Sequence, residues 1–230
     1  MRCVLASLYL TIIGSFSLSA QVDSLPLDAD FVFQDGVYLT LQQLHQNQPA
    51  YEWKEVEARL AANRDRYFAQ MEYIKPRGLA AIPVTDVYAF VLKGLPYIRV
   101  EDTVDNEKAA TFAGLRVRGK LCYYTYERRE PKTVEMAAYN PLTGKPFRKG
   151  RVKREETIVI EHVLDFATGQ RVPLSREHLK ALMADDPEMV RAVAELPEEG
   201  LGEKLYKCVL IYDDRNPIRL PVYPKTKNKK

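Results

Sequence analysis

The sequence predicts an α+β fold: an antiparallel, hairpin-rich sheet, strongly curved or barrel-like, with a short N-terminal helical segment and a C-terminal helix pair before the last strand. Three observations carry this. Between residues 86 and 139, short segments rich in β-branched and aromatic residues succeed one another: "DVYAFVL", "LPYIRV", "TFAGLRV", "KLCYYTYE" and "TVEMAAY". Such residues suit a half-buried pleated surface. The breaks at Lys93-Gly94, around Asp105-Asn106, at Arg118-Gly119 and at Pro131 fit hairpins rather than βαβ units, which need long crossovers. Helical spacing of apolar residues is confined to the two flanks.

In chain order, "MRCVLASLYLTIIGSFSLSA" has a cation at Arg2, an apolar run from Val4 to Phe16 and small residues up to Ala20. That is the layout of a secretory signal peptide, residues 1–20, with an apolar run too short to span a bilayer. Cleavage after Ala20 leaves Gln21 first; Leu18 is a less usual residue at the third position before that cut, so a cut after Ser19 is the alternative. Cys3 precedes the apolar run, so a lipoprotein is not expected, and no transmembrane span is expected after signal removal. Residues 21–30 read as a flexible start, 31–222 as a single α+β domain and 223–230 as a basic tail.

"FVFQDGVYL" reads as a short strand with a turn at Asp35-Gly36. Thr40 and Gln43 have capping-box spacing, in which the threonine accepts the third residue's amide and the glutamine reaches back. That helix ends by Pro49. Trp53, Val56 and Leu60 keep helical spacing and predict a second helix to about Ala62. Over 63–74 helix and strand both fit, and the "KPRG" turn at 75–78 favours strand–turn–strand. After the central strands, "YNPLTGKPFRKG" at 139–150 reads as a long loop, and "EETIVIEHVLDF" as the longest strand, closed by "ATGQ". Ser175 caps "REHLKALMA", and Asp186-Pro187 supplies cap and first-turn proline for "PEMVRAVAEL". "PEEGLGE" breaks that helix, "KLYKCVLIYDD" reads as the last strand and "RNPIRLPVYPKTKNKK" as an extended basic tail.

The chain has 34 Lys and Arg against 31 Asp and Glu. A balance this near neutral, on an exported chain, points away from nucleic acid. The cations are clustered, however. "KPFRKGRVKR" at 145–154 contains no acid, and its Arg148, Lys149, Arg151, Lys153 and Arg154 are candidate contacts to anionic lipid, a cell-wall polymer or an acidic envelope protein. The alternative is a solvated loop.

Serine nucleophiles are nearly excluded, because Ser24 and Ser175 are the only serines after the leader and Ser175 is a cap. His162 alternates with Ile158, Ile160, Leu164 and Phe166 and so shares their face, as a core histidine would. His45 reads as exposed and His178 as a first-turn residue. There is no H-E-x-x-H and no C-x-x-C, so neither a metal nor another cofactor is expected. Cys122 and Cys208 remain after the leader. In an oxidising compartment they are a possible disulfide; two separate buried thiols are the other reading, and the sequence leaves both open. A Cys–His or carboxylate pair assembled in space leaves no local signature. Tyr123 lies on one face of its strand and Tyr124 and Tyr126 on the other, so one face is expected to show tyrosine to solvent, with Tyr124 and Tyr126 as candidate binding residues.

Several segments together resemble small exported proteins of unknown function from Bacteroidetes-type bacteria. Their opening strand-to-helix pattern is similar to Gly36, Val37, Tyr38, Asn47 and Pro49. "DVYAFVLKGLPYIRV" is similar to the next stretch of those proteins, with Ala89 where a glycine is usual, and Asp165, Thr168 and Gly169 match a D-x-x-T-G turn before a helix. "LIYDDRNP" resembles a closing strand end. The resemblance implies an exported, hairpin-rich envelope protein and brings no catalytic residues with it. With the leader, the lack of a catalytic constellation and the clustered cations, the expected function is non-enzymatic binding or structural work in the periplasm or at the outer envelope, through the sheet face or the basic loop. An exported hydrolase is the alternative.

Overall fold

A computed structural model describes residues 23–100, 109–139, 141–144 and 146–222, with 137, 138 and 146–148 described in their backbone only. The expected leader with its cleavage site, the break expected around Asp105-Asn106, Lys145 and residues 223–230 lie outside the described residues.

β1 (Asp23–Pro26) precedes β2 (Gly36–Tyr38) and α1 (Leu41–His45); then come β3 (Val56–Asn63), β4 (Phe68–Pro76), β5 (Ala89–Leu92), β6 (Leu95–Arg99) and β7 (Ala110–Gly114). β8 (Leu121–Tyr139) and β9 (Pro146–Asp165) form a long hairpin, with β10 (Arg171–Pro173) after it. The chain then forms α2 (Arg176–Leu182), α3 (Pro187–Ala194), α4 (Leu201–Arg215) and β11 (Arg219–Val222). The architecture is mostly antiparallel sheet with few helices, and its largest sheet is a curled half-barrel. That sheet has the order β2-β5-β6-β7-β4-β3; a second has the order β10-β9-β8, and β1 pairs with β11.

Strand alternation sorts the buried residues into three clusters. Within the six-stranded sheet, Phe90, Tyr97 and Phe112 pack together on one side, with Phe90 and Tyr97 stacked at 4.9 Å. Ala89, Val91 and Ile98 face the other side, where Cys122, Tyr124 and Leu164 from the root of the long hairpin meet them. The hairpin root's opposite face, with Tyr123 and Val163, is covered by Leu179, Val193, Leu205 and Val209 from the helices. The root of β8–β9 is thus a shared wall. A fully buried side chain of this size contributes about 1.5–3 kcal/mol through lost hydration.

Local signals hold where they are strongest. Thr40 accepts from the Gln43 amide at 3.2 Å and Gln43 reaches back to Leu39 and Thr40, completing the capping box. Ser175 and Asp186 cap α2 and α3 through the amides of His178 and Met189.

Five expectations are corrected. Residues 56–63 form β3 rather than a helix, because they pair along their whole length with β4, from Val56 with Pro76 to Asn63 with Phe68. "KLYKCVLIYDD" belongs to α4, not a last strand: Leu205, Cys208, Val209 and Tyr212 are buried, and their spacing is that of one helix face. Pro131 does not end a strand. β8 runs through it, and β8 is an edge strand, where a missing N–H facing the open side is tolerated. The loop expected over 139–150 is shorter, since Tyr139 and Pro146 already pair. The start expected to be flexible contains β1, held by β11 and by Arg219 donating to the Ser24 carbonyl at 2.6 Å.

Candidate functional site

Among the described residues, the outer part of the β8–β9 hairpin and a cleft at its root present chemistry to solvent. From Pro131 to Met136 and from Lys149 to Thr157 every side chain is exposed, so this ribbon has no cover on either face. From the pair Glu127–Val159 to the pair Tyr139–Pro146 the arm reaches about 40 Å at the usual strand rise. Isolated two-stranded ribbons are marginal. Cross-strand ion pairs support this one: Lys132–Glu156 at 2.7 Å, Arg151–Glu135 at 3.4 Å and Arg129–Glu155 at 3.9 Å. Each contributes less than about 1 kcal/mol at such exposure.

The alternation of the strand splits the basic segment. Lys149, Arg151 and Lys153 share one face, while Arg154 lies on the other with Val134 and Val152. Among the described residues Lys149, Lys153 and Arg154 have no acidic partner, whereas Arg151 is paired. Arg148 stands opposite Ala138 in the ladder. Apolar side chains accompany the cations at the outer end: Met136 and Tyr139 are about 60% exposed and Leu142 is 94% exposed.

Tyr124 and Tyr126 do not form a solvent-facing surface. Both are buried against the six-stranded sheet, and Tyr123 is buried under the helices, because the root is covered on both sides. His162 lies beside the rings of Tyr124 and Tyr126, at 5.7 and 5.4 Å. His45 is bonded to the Phe166 carbonyl, and His178 lies between Ser175 and the Pro173 carbonyl.

Cys122 and Cys208 are free thiols, Cys122 in the cluster against the large sheet and Cys208 in the helical one. Burial pushes the Cys122 thiol up to about 12, and it donates to the Gly119 carbonyl. A thiol so placed is not a nucleophile near neutral pH. Among the described residues no group of three or more His, Cys, Asp or Glu could hold a metal ion. Asp213 on α4 is a buried carboxyl: it lies against Gly119, accepts from the Leu121 amide at 2.8 Å, and burial raises its pKa to about 7. It ties the helices to the start of β8.

The cleft is about 250 Å³ and lies between the β3–β4 turn and the arm's root, lined by Asp65, Arg66, Phe68, Arg116, Tyr126 and Val159 among others. The Arg116 guanidinium sits 4.8 Å above the Tyr67 ring, and its Nε donates to Thr125 Oγ1 at 3.1 Å. A smaller cleft on the other side of the turn contains Arg64, Lys93 and Arg118; Arg118 is occupied by the carbonyls of Ala29 and Phe31. Sequence reasoning misses this site. Arg66 and Arg116 are far apart in the chain and meet only because Phe68 pairs with Ala113.

Gly36, Tyr38, Asn47 and Pro49, at the strand-to-helix join, pack against one another and their neighbours. Tyr38 donates to the Gln34 carbonyl at 2.7 Å, and Asn47 accepts from the Gln34 amide at 2.8 Å. A Cβ on Gly36 would lie 2.4 Å from the Tyr51 oxygen and 2.7 Å from Pro49. This strand-to-helix join is a packing knot. No protein family, curated protein or solved structure matches the chain.

Proposed function

We propose that this is an exported envelope protein, periplasmic or associated with the outer envelope, which binds an anionic component of the envelope through the outer part of the β8–β9 arm. The observation that supports this reading most is the arm itself. A ribbon uncovered on both faces contributes little to the core, yet it carries Lys149, Lys153 and Arg154 without acidic partners among the described residues and apolar Met136, Tyr139 and Leu142 beside them. Cations next to exposed apolar groups suit a surface that is charged outside and apolar beneath, as an anionic lipid layer is. No helix among the described residues is long and apolar enough to cross a membrane.

The test is co-sedimentation of the purified protein with anionic vesicles, neutral vesicles and cell-wall sacculi across a salt series. A variant changing Arg148, Lys149, Arg151, Lys153 and Arg154 to Gln runs beside it. At about 1 kcal/mol per cation near an anionic surface, the five changes together cost roughly three to four orders of magnitude in affinity, and the salt dependence falls. Equal binding by both proteins, or no binding to any surface, refutes the reading.

A further inference from the structure

We propose that the cleft between the β3–β4 turn and the root of the arm is a binding site for a small acidic saccharide, a single sugar ring carrying a carboxylate or a phosphate. The site is separate from the arm's outer end and does not depend on what that end contacts.

Arg116 is the anchor for the anion. Its guanidinium is fixed before any ligand arrives, stacked on Tyr67 and bonded through Nε to Thr125, while its Nη nitrogens have no protein partner among the described residues. A planar fork held in this way matches a carboxylate or phosphate with two parallel hydrogen bonds. Arg66 lines the same cleft. Among the described residues neither arginine has a carboxylate within ion-pair distance, although Asp65 and Glu127 line the cleft. The neighbouring cations of the arm differ, since Arg128, Arg129 and Lys132 are paired with Glu130, Glu155 and Glu156. Arg64 and Lys93, across the turn, add to the positive field.

The rest of the lining suits a sugar better than a bare ion. Phe68, Tyr126 and Val159 supply an apolar wall for the C–H face of a ring, and Asp65, Glu127 and Thr125 supply acceptors for hydroxyls. At about 250 Å³ the cleft is below the size of drug-sized pockets and admits one ring rather than a chain. Tyr67, beneath the anchor, has φ 54°, a left-handed conformation that is costly for an aromatic residue. It is held there by the Gly114 amide, which donates to its carbonyl at 2.7 Å, and by the missing Cβ of Gly114, which would lie 3.1 Å from the tyrosine side chain. Backbone strain of this kind clusters at ligand-binding positions.

The test is calorimetric titration of the purified protein with galacturonic acid, glucose 6-phosphate, glucose and inorganic phosphate. The acidic sugars bind in the millimolar range, each at least about tenfold tighter than glucose and than inorganic phosphate. Their order separates a carboxylate ligand from a phosphate one. Arg116→Gln weakens binding by about tenfold or more at an unchanged unfolding midpoint, and Arg116→Lys does not restore it, because an ammonium lacks the fork. Arg66→Gln, whose side chain has no bonded partner to lose among the described residues, weakens binding without touching the fold. The proposal is overturned by glucose binding as tightly as galacturonic acid, by inorganic phosphate matching the sugar phosphate, by no binding of either acidic sugar below about 10 mM, or by full binding in both Gln variants.

Discussion

Replacing Gly119 with alanine places a methyl carbon 2.3 Å from Cγ and Oδ2 of Asp213 and 2.8 Å from its Cβ. Ordinary contact begins roughly 1 Å further out, so something must move. Asp213 has a short side chain fixed on α4, so the choice is between backing the helix away from β8 and turning the carboxyl out. The first option overpacks and then loosens a core contact, at about 1–3 kcal/mol. The second abandons the hydrogen bond from the Leu121 amide, at a similar cost of about 1–3 kcal/mol. We expect Gly119→Ala to lower stability by about 1–3 kcal/mol, the cost of whichever route is taken, read by urea unfolding monitored by circular dichroism. Asp213→Gly removes the three atoms that a Gly119 methyl would strike, and in that background Gly119→Ala should cost less than about 0.5 kcal/mol, leaving a coupling of at least about 0.5 kcal/mol. A cost for Gly119→Ala below about 0.5 kcal/mol, or the same cost in both backgrounds, refutes the contact as described.

Asp213 also gives stability a pH dependence. Its folded pKa of about 7 lies above its ordinary 3.8 because burial disfavours the charge, so the folded state keeps this proton to higher pH than the unfolded state. Its contribution is complete below about pH 4 and is lost as pH rises toward 7, by up to about 4 kcal/mol. Asp213→Asn keeps a neutral acceptor for Leu121; it should match the wild type at about pH 4 and exceed it at about pH 8 by about 2–4 kcal/mol. A gap that does not change with pH contradicts this. Because Cys122 and Cys208 are separate thiols, reductant should leave the urea midpoint unchanged, and both should label in the unfolded, unreduced chain. A midpoint that falls on reduction contradicts it.

What the sequence makes legible is what local hydrogen bonds decide. Thr40 with Gln43, Ser175 with His178, and Asp186 with Met189 each close within three residues, so their signals need no knowledge of the rest of the fold. β3 is the opposite case. Its Glu57, Ala58, Arg59 and Leu60 favour helix on their own, and only the pairing with β4 makes them a strand. α4 is misread for another reason: β-forming types such as Tyr206, Val209 and Ile211 mask a helical spacing already present in Leu205, Cys208, Val209 and Tyr212. The arm looks like two strands and a loop because Pro131 is a breaker only inside a sheet, and nothing local marks β8 as an edge. The burial of Tyr124 and Tyr126 depends on what covers each face of the root, and the Arg116 cleft depends on strand register. Neither is written in spacing.

On the proposed reading, the outer arm is dispensable to the fold and essential to contact. Replacing residues 130–156 with a two-residue Asn-Gly turn that closes the Arg129–Thr157 pair separates these two properties, because such a turn suits a tight hairpin. Unfolding and anionic-vesicle binding are then measured on the same preparation. The expected result is an unfolding midpoint close to that of the full arm, together with the loss of salt-sensitive binding. Binding that survives the deletion, or a shortened chain that no longer folds, contradicts it.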